Sequence, residues 1–444
     1  MKWVLIAPAE GAWRLLLGPN ARQSGYEMHS RMIRVVVIGS GAREHALVRA
    51  LRRGGGAREI VAIPGNPGIA LEARCAPAQP SLSDAALAES PDLVIVGPEA
   101  PLAEGFADRM AQRGVPCFGP LQAAARIESS KAFAKEIMLA AGVPTAHAAV
   151  FEDAAAARQH ARAGGACVVK LDGLAAGKGV IVADDGAAAA AAVDELWKPG
   201  ARLLIEERLS GREVSIIALC DGETVVPLPP ARDHKRLLDG DRGPNTGGMG
   251  AVCPPSDATE ELVDSTVRTI LEPTARELAR RGAPFVGALY AGLMLTTQGP
   301  RVLEFNCRLG DPEAQAILLR LRSDPLPLFF AAAQRRLAGQ RPVWDSRTAV
   351  AVVLAAHGYP GAPRAMDEVR GLEALAAEEG EDLWVLHAGT KLQSGKVVTG
   401  GGRVLTVAAL GAGPAQARAR AYGAAARISF AGMQSRADIA AAEM

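Results

Sequence analysis

Residues Ile33–Arg53 read IRVVVIGSGAREHALVRALRR. Apart from Arg34, the run Ile33–Ile38 is apolar and β-branched, the pattern of a buried strand. Gly39–His45 (GSGAREH) breaks that run, and a helical stretch continues to Arg53 before Gly54–Gly56 stop it. Working outward, Glu59–Ile63 predicts a second strand, and Asp92–Val96 (DLVIV), running into GPEAPL, predicts another. Strands alternating with helices in this way predict an α/β, doubly wound parallel sheet, which we place at residues 32–130.

The turn itself admits three readings. G-x-G-x-x-G would bind a dinucleotide, but Glu44 stands at the third glycine and the second strand ends in Ile63–Pro64 without a ribose acid. A plain strand-to-helix turn would use glycine for backbone freedom. The reading preferred from sequence is a phosphate site at a helix N-terminus, because Arg43 adds a charged donor.

The rest of the chain is long enough for further domains. At 444 residues, and roughly 100–200 residues per domain, three or four are expected. A net charge of +1 gives no global field to recruit nucleic acid or an anionic membrane, and 4% aromatics argue against base stacking. Cys75, Cys117, Cys167, Cys220, Cys253 and Cys307 form no C-x-x-C pair, which suits free thiols in a reducing cytoplasm. No run approaches the roughly 18 apolar residues of a membrane span. Near the N-terminus, Glu10 and Arg14 interrupt the short run WVLIAPA, against a signal peptide.

After a helix at Ser130–Ala141, residues 145–210 alternate alanine-rich helices with strands at Cys167–Lys170 and Leu203–Glu206. A mixed segment with a strand at Val302–Phe305 runs to 335, a linker follows at 336–346, and VAVVLAA and RVLTVAAL are strands of a last small domain, 347–444.

Three motifs carry chemistry. Lys170–Val180 (KLDGLAAGKGV) ends a strand on Lys170 and continues through Gly173, Gly177, Lys178 and Gly179. Such a loop brings backbone amides to phosphate oxygens, although no hydroxyl residue completes a Walker motif; a surface hairpin tip is the plainer alternative. Ile205–Ser215 (IEERLSGREVS) places Glu206, Glu207 and Glu213 around a strand end, where backbone can read an adenine and a carboxylate can hold ribose hydroxyls; solvated charges would look the same. Val302–Glu313 (VLEFNCRLGDPE) is the strongest signal. Period-two alternation sets Glu304 and Asn306 on one face, hard oxygen ligands for magnesium, with Arg308 next to grip a carboxylate. An ion pair between Glu304 and Arg308 is the structural alternative.

VVVIGSGAREHAL, IVGPEAPL, SSKAF, VVKLDGLAAGKGV, IEERLSGREVS, DHKR, GPNTGGMGA, LYAGLM, EFNCRLGDPE, HAGTK and GGRVL follow one another in the order they have in phosphoribosylamine–glycine ligases, and from about Met32 the chain resembles that ATP-grasp family. The resemblance implies an α/β and α+β multidomain protein. Its parts are the N-terminal doubly wound sheet, a two-part ATP-grasp fold (131–335, lid about 145–210) and a small C-terminal α+β domain. Residues 1–31 have no family counterpart, and are expected to be a disordered extension or the product of a start set upstream of Met32. The implied activity joins glycine to 5-phosphoribosylamine with ATP and magnesium or manganese in purine synthesis, without nucleic-acid or membrane partners.

By position, the family implies phosphate contacts from Lys131 and Lys170, a lid from Gly177, Lys178 and Gly179, an adenine hinge at Glu206, Glu207 and Leu209, and Glu213 on the ribose. Glu304 and Asn306 become the metal ligands. Arg308 with the Asp311 turn becomes the glycine-carboxylate site, and with Lys170 these are the implied catalytic residues. Gly41, Arg43 and Glu44 would face phosphoribosylamine, with Asp233, His234, Lys235 and Asn245 lining the substrate side. Two departures bear on this. Leu171 is bulkier than the family's alanine beside the phosphate loop, and Arg232 stands before DHKR where the family has glutamine, a change expected to add charge near the substrate. A carboxylating grasp enzyme using bicarbonate at Arg308, or a non-catalytic nucleotide sensor, remain as alternatives.

Overall fold

The computed structural model describes residues 33–175 and 179–444. The extension 1–31 and the lid residues Gly177 and Lys178 therefore lie outside the described residues. The first sheet contains β1 (Ile33–Gly39), β2 (Ala57–Pro64), β3 (Arg74–Cys75), β4 (Leu93–Val96) and β5 (Cys117–Phe118), all parallel in the order β3-β2-β1-β4-β5. Continuous apolar strands make sense here because both faces are covered. Val35 and Val37 pack with Leu47 and Leu51 of the helix Ala42–Gly54, whereas Val36 and Ile38 pack with Phe106 and Met110. The strand order reverses between β1 and β4, so their carboxyl ends open a crevice where ligands of such sheets bind.

The second sheet is a separate antiparallel unit of β6 (Ala148–Phe151), β7 (Cys167–Leu171), β8 (Val180–Ala183) and β9 (Leu203–Glu207), ordered β6-β9-β7-β8. Its helices Ala154–Gly164 and Gly186–Leu196 begin where Asp153 and Asp185 accept from the amides of Ala156 and Ala188. Ala157, Ala161, Ala189 and Ala192 let the helices lie close on the sheet, so the alanine runs are a packing surface. Leu171 packs against this core, which accounts for its bulk.

The central sheet joins β10 (Arg212–Asp221), β11 (Val225–Pro227), β16 (Val286–Thr296) and β17 (Gly299–Asn306) in the order β11-β10-β16-β17, all antiparallel. Between β11 and β16 the chain leaves it. It forms β12 (Arg232–Asp233), the hairpin β13 (Arg236–Leu238) and β14 (Arg242–Asn245), and β15 (Gly250–Cys253). The last sheet takes in β12 and β15, followed by β18 (Thr348–Ala355), β22 (Arg403–Gly411) and β19 (Leu383–His387), while β20 (Thr390–Gln393) and β21 (Lys396–Thr399) pair separately. Residues 234–249 are thus anchored at both ends in the C-terminal sheet. The predicted fold class, a parallel N-terminal sheet followed by grasp and C-terminal parts, is the one observed.

Candidate active site

Strand β17 is the floor of the site. Glu304 lies opposite Gly292 and Asn306 opposite Tyr290, so both side chains share one face, as alternation predicts. Lys235 Nζ is 3.8 Å from Glu304 Oε1 and 3.0 Å from Glu213 Oε2. Burial alone would raise the Glu304 carboxyl, but Lys235, Lys170, Lys131 and Arg308 outweigh it and hold the group below its ordinary value. A carboxylate and an amide oxygen on one face would suit a hard divalent cation. Among the described residues no group of three or more His, Cys, Asp or Glu gathers into a metal cluster.

Lys131 and Lys170 enter from the other wall. Ser130 caps the helix Lys131–Ala140 by accepting from Phe133 N, which fixes Lys131 at its first turn; Lys131 Nζ donates to Gly173 O at 2.8 Å. Lys170 Nζ donates to Leu303 O at 2.8 Å and pairs with Glu206 Oε2 at 2.9 Å. The other Glu206 oxygen is 3.4 Å from Lys135 Nζ. Burial pushes the Lys135 amine down to about 8 against the pull of Glu206. Sequence reasoning passed over Lys135, although it follows Lys131 at one-turn helical spacing. Of the predicted hinge, the Glu206 carboxylate is taken by lysines and Glu207 pairs with Arg301 at 2.7 Å, so only backbone there is left to read a base. Leu209 is half-buried just beyond β9, and Gly179 accepts from Leu171 N at 2.7 Å.

Arg308 does not pair with Glu304. Its guanidinium lies 3.1 Å from Glu128 Oε1 and 3.4 Å from Glu99 Oε2, and reaches Asn306 Oδ1 at 3.3 Å. The structural alternative drawn from sequence fails, because residues 304 and 308 straddle the end of the strand. Nor is Arg308 a free anion receptor, since two acids already share its charge.

The turn after β1 requires a larger correction. Gly41 N donates to Glu44 Oε2 at 2.6 Å, Arg43 Nε donates to Glu44 Oε1 at 2.7 Å, and Arg43 Nη1 donates to Leu309 O at 3.1 Å. Arg43 and Glu44 are both buried. A Cβ on Gly39 would approach the Glu44 side chain to 2.5 Å, and one on Gly97 would clash with it as well. Glu44 therefore fills the turn that was read as a phosphate site, with Gly41 and Arg43 committed to it. The crevice is lined by Ser40, Gly41, Arg43, Glu44, Pro98 and Asp311, and both of its acids are paired with arginine.

Asp311 sits on this N-terminal side. Arg403, on β22, donates from Nη1 to Asp311 O at 2.7 Å and to Gly247 O at 2.5 Å, and its Nη2 is 3.0 Å from Asp311 Oδ2. Burial would raise the Asp311 carboxyl, yet Arg403, Arg43, Gln315 and Arg308 keep it below its ordinary value. Asp311 is thus bound chiefly to Arg403 and does not pair with Arg308. Arg403 was not singled out from sequence, although the quoted GGRVL contains it.

Around β12 the alternation separates the predicted residues. Asp233 and Lys235 share the cleft face, whereas His234 turns away. Burial, with Arg436 next, pushes the His234 imidazole down to about 4, so it is neutral and placed beside the C-terminal sheet. Asn245 faces Arg236 across the β13–β14 hairpin. Arg232, expected to add charge near the substrate, is buried and paired with Asp257 and Glu443 while donating to Glu213 O at 2.8 Å.

Three family profiles match consecutive parts of the chain: the phosphoribosylglycinamide synthetase N domain over residues 33–128, its ATP-grasp (A) domain over 129–314 and its C domain over 349–442. A phosphoribosylamine–glycine ligase of Streptomyces coelicolor is 50% identical over 92% of this chain and 99% of its own, and one of Caulobacter vibrioides is 48% identical over 91% and 97%. The crystal structure of phosphoribosylamine–glycine ligase from Thermotoga maritima superposes with a TM-score of 0.79 at 33% identity, covering 92% of this chain and 100% of that one. The biotin carboxylase domain of Hydrogenobacter thermophilus 2-oxoglutarate carboxylase, in complex with MgADP, ADP and bicarbonate, shares the fold at 17% identity and a TM-score of 0.67 over 91% of this chain and 92% of that one. Matched in order over residues 33–128, 129–314 and 349–442, this chain belongs to the phosphoribosylglycinamide synthetase family.

Proposed function

We propose that the chain ligates glycine to 5-phospho-β-D-ribosylamine with ATP, giving N1-(5-phosphoribosyl)glycinamide, ADP and phosphate in purine biosynthesis. The observation that carries this reading is Glu304, on the same face of β17 as Asn306, among the charges of Lys131, Lys170 and Lys235, with Asp311 lining the N-terminal crevice. A carboxylate is a poor electrophile toward an amine, so glycine is first converted to glycyl phosphate. Magnesium or manganese held by Glu304 and Asn306 would offset the charge of the transferring phosphoryl group. Lys131 and Lys170 orient the phosphates with preorganised charge. Backbone at Glu206–Leu209 takes the adenine and Glu213 the ribose. Arg308 holds the glycine carboxylate by exchanging its long 3.4 Å contact with Glu99 for a shorter one. The Glu44 crevice receives the ribosylamine.

Residues 32–130, 131–335 and 347–444 are the proposed domains, with the lid at 145–210, and the proposed site of action is the cytoplasm. No helix among the described residues is long and apolar enough to cross a membrane. ADP release with phosphoribosylamine and either glycine or bicarbonate tests the reading. Release that requires glycine and yields the glycinamide supports it, and release driven by bicarbonate without glycine would reassign the chain to carboxylation.

A further inference from the structure

The ligation step releases a proton, and the acids around the cleft differ in whether they are free to receive it. Glu206 is bound by Lys135 and Lys170, and Glu44 by Arg43 and the Gly41 amide. Asp311 is bound by Arg403 and Gln315. Glu313 accepts from the Tyr290 hydroxyl at 2.5 Å and from Ser215 Oγ at 3.0 Å. Asp233 stands apart. Its Oδ1 is buried without a hydrogen-bond partner among the described residues, which leaves Oδ2 as its accessible oxygen.

Its position is equally distinctive. Two residues along an extended chain it shares a face with Lys235, which reaches Glu213 and Glu304 on the phosphate side. On its other flank it packs against Gly248, whose φ is +109° and where a Cβ would come within 2.6 Å of Asp233 Oδ1. The neighbouring Gly247 carbonyl is held by Arg403, which also holds Asp311 at the ribosylamine crevice. Asp233 therefore stands between the place proposed for the acyl phosphate and the place proposed for the amine.

We propose that Asp233 is the proton acceptor of the ligation step. The lone pair of the ribosylamine nitrogen forms the C–N bond to the glycyl carbonyl carbon. The C–O bond to phosphate breaks with its electron pair leaving on phosphate, and the nitrogen's proton passes to Asp233 Oδ2. The environment fits this task. Burial, then Glu313 and Glu213, raise the Asp233 carboxyl well above its ordinary value, while Lys235 and Arg403 oppose them. A carboxylate with raised proton affinity is a stronger base than an ordinary one.

The proposal rests on the glycyl phosphate reading above, and one experiment separates the two. The full-length chain, as wild type and as Asp233→Asn, is given ATP, magnesium and glycine with either phosphoribosylamine or hydroxylamine. Hydroxylamine traps an acyl phosphate with little need of a base. Asp233→Asn should form glycine hydroxamate within about twofold of wild type while ligation to phosphoribosylamine falls roughly a hundredfold and loses its acid limb with pH. Asp233→Glu should restore a pH limb with a displaced midpoint. Parallel loss of both products would make Asp233 a positioning or folding residue and overturn the proposal, as would undiminished ligation. Absence of hydroxamate from the wild-type chain would instead sink the glycyl phosphate reading, and this proposal with it.

Discussion

Glu304 on β17 and Glu44 in the turn after β1 are acids beside arginine or lysine, in motifs that both looked like phosphate machinery. They are built differently. Glu304 meets its nearest cation, Lys235, only at 3.8 Å and lies within reach of several other positive charges, so it has cations to share. Glu44 is bound at 2.6 and 2.7 Å by its own loop and is sealed by glycines at 39, 41 and 97. The first acid keeps its charge shared among several cations, whereas the second completes the chain's own turn. A glycine-rich turn at a helix N-terminus attracts anions only while its amides are free.

That contrast is sharpest in paired substitutions. Glu304→Gln keeps the volume of the side chain and removes its charge, so turnover should fall roughly a hundredfold or more with little change in Tm. A clear loss of Tm with modest kinetic change would place Glu304 among the structural acids. Glu44→Gln should do the reverse first: it leaves Arg43 buried without its partner, which costs about 3 kcal/mol of folding stability by analogy with broken buried ion pairs. Denaturant titration measures it, and an unchanged midpoint would show that Glu44 is not what holds the turn. Arg308→Lys should cost about 2 kcal/mol in glycine kcat/KM while leaving the KM for ATP near wild type, because lysine cannot grip a carboxylate with two parallel bonds. Equal glycine kinetics at saturating ATP would remove Arg308 from the glycine site.

The effect that varies with pH belongs to the seam between the N- and C-terminal domains. His45 Nδ1 accepts from His387 N at 2.8 Å, and His45 Nε2 meets Glu72 at 3.1 Å. Burial, then His45 and Arg49, push His387 down to about 3, and burial also lowers His45. Against its burial, hydrogen bonds from His45 and Arg49 pull Glu72 down to about 2. The unfolded chain therefore binds more protons than the folded one on the acid side, from the ordinary histidine value of 6.5 down to about 3. Stability is full above that window and falls as pH drops through it, by up to about 1.4 kcal/mol per pH unit for each histidine. Tm measured from pH 7 to pH 4 should decline less steeply in His387→Asn than in wild type; parallel slopes would show that the seam does not titrate.

What the sequence made legible was local. β-branched runs marked β1 and β4, and alternation put Glu304 and Asn306 together on β17. What it concealed was partnership across distance. Arg308 meets Glu99, 209 residues away, and Arg403 meets Asp311 across 92 residues. Periodicity fixes the face of an element on which a residue lies, and topology decides what stands opposite. The charge of Arg232 was legible, but its burial against Glu443 was not, because Glu443 lies 211 residues further along the chain.

The claim that β17 carries the metal–phosphate site is tested most directly by manganese binding in the presence of a non-hydrolysable ATP analogue, followed by electron paramagnetic resonance on wild type, Glu304→Gln and Glu44→Gln. We expect Glu304→Gln to weaken manganese binding at least about tenfold, the equivalent of about 1.4 kcal/mol, and Glu44→Gln to leave it unchanged. Undiminished binding by Glu304→Gln, or loss confined to Glu44→Gln, would contradict the assignment.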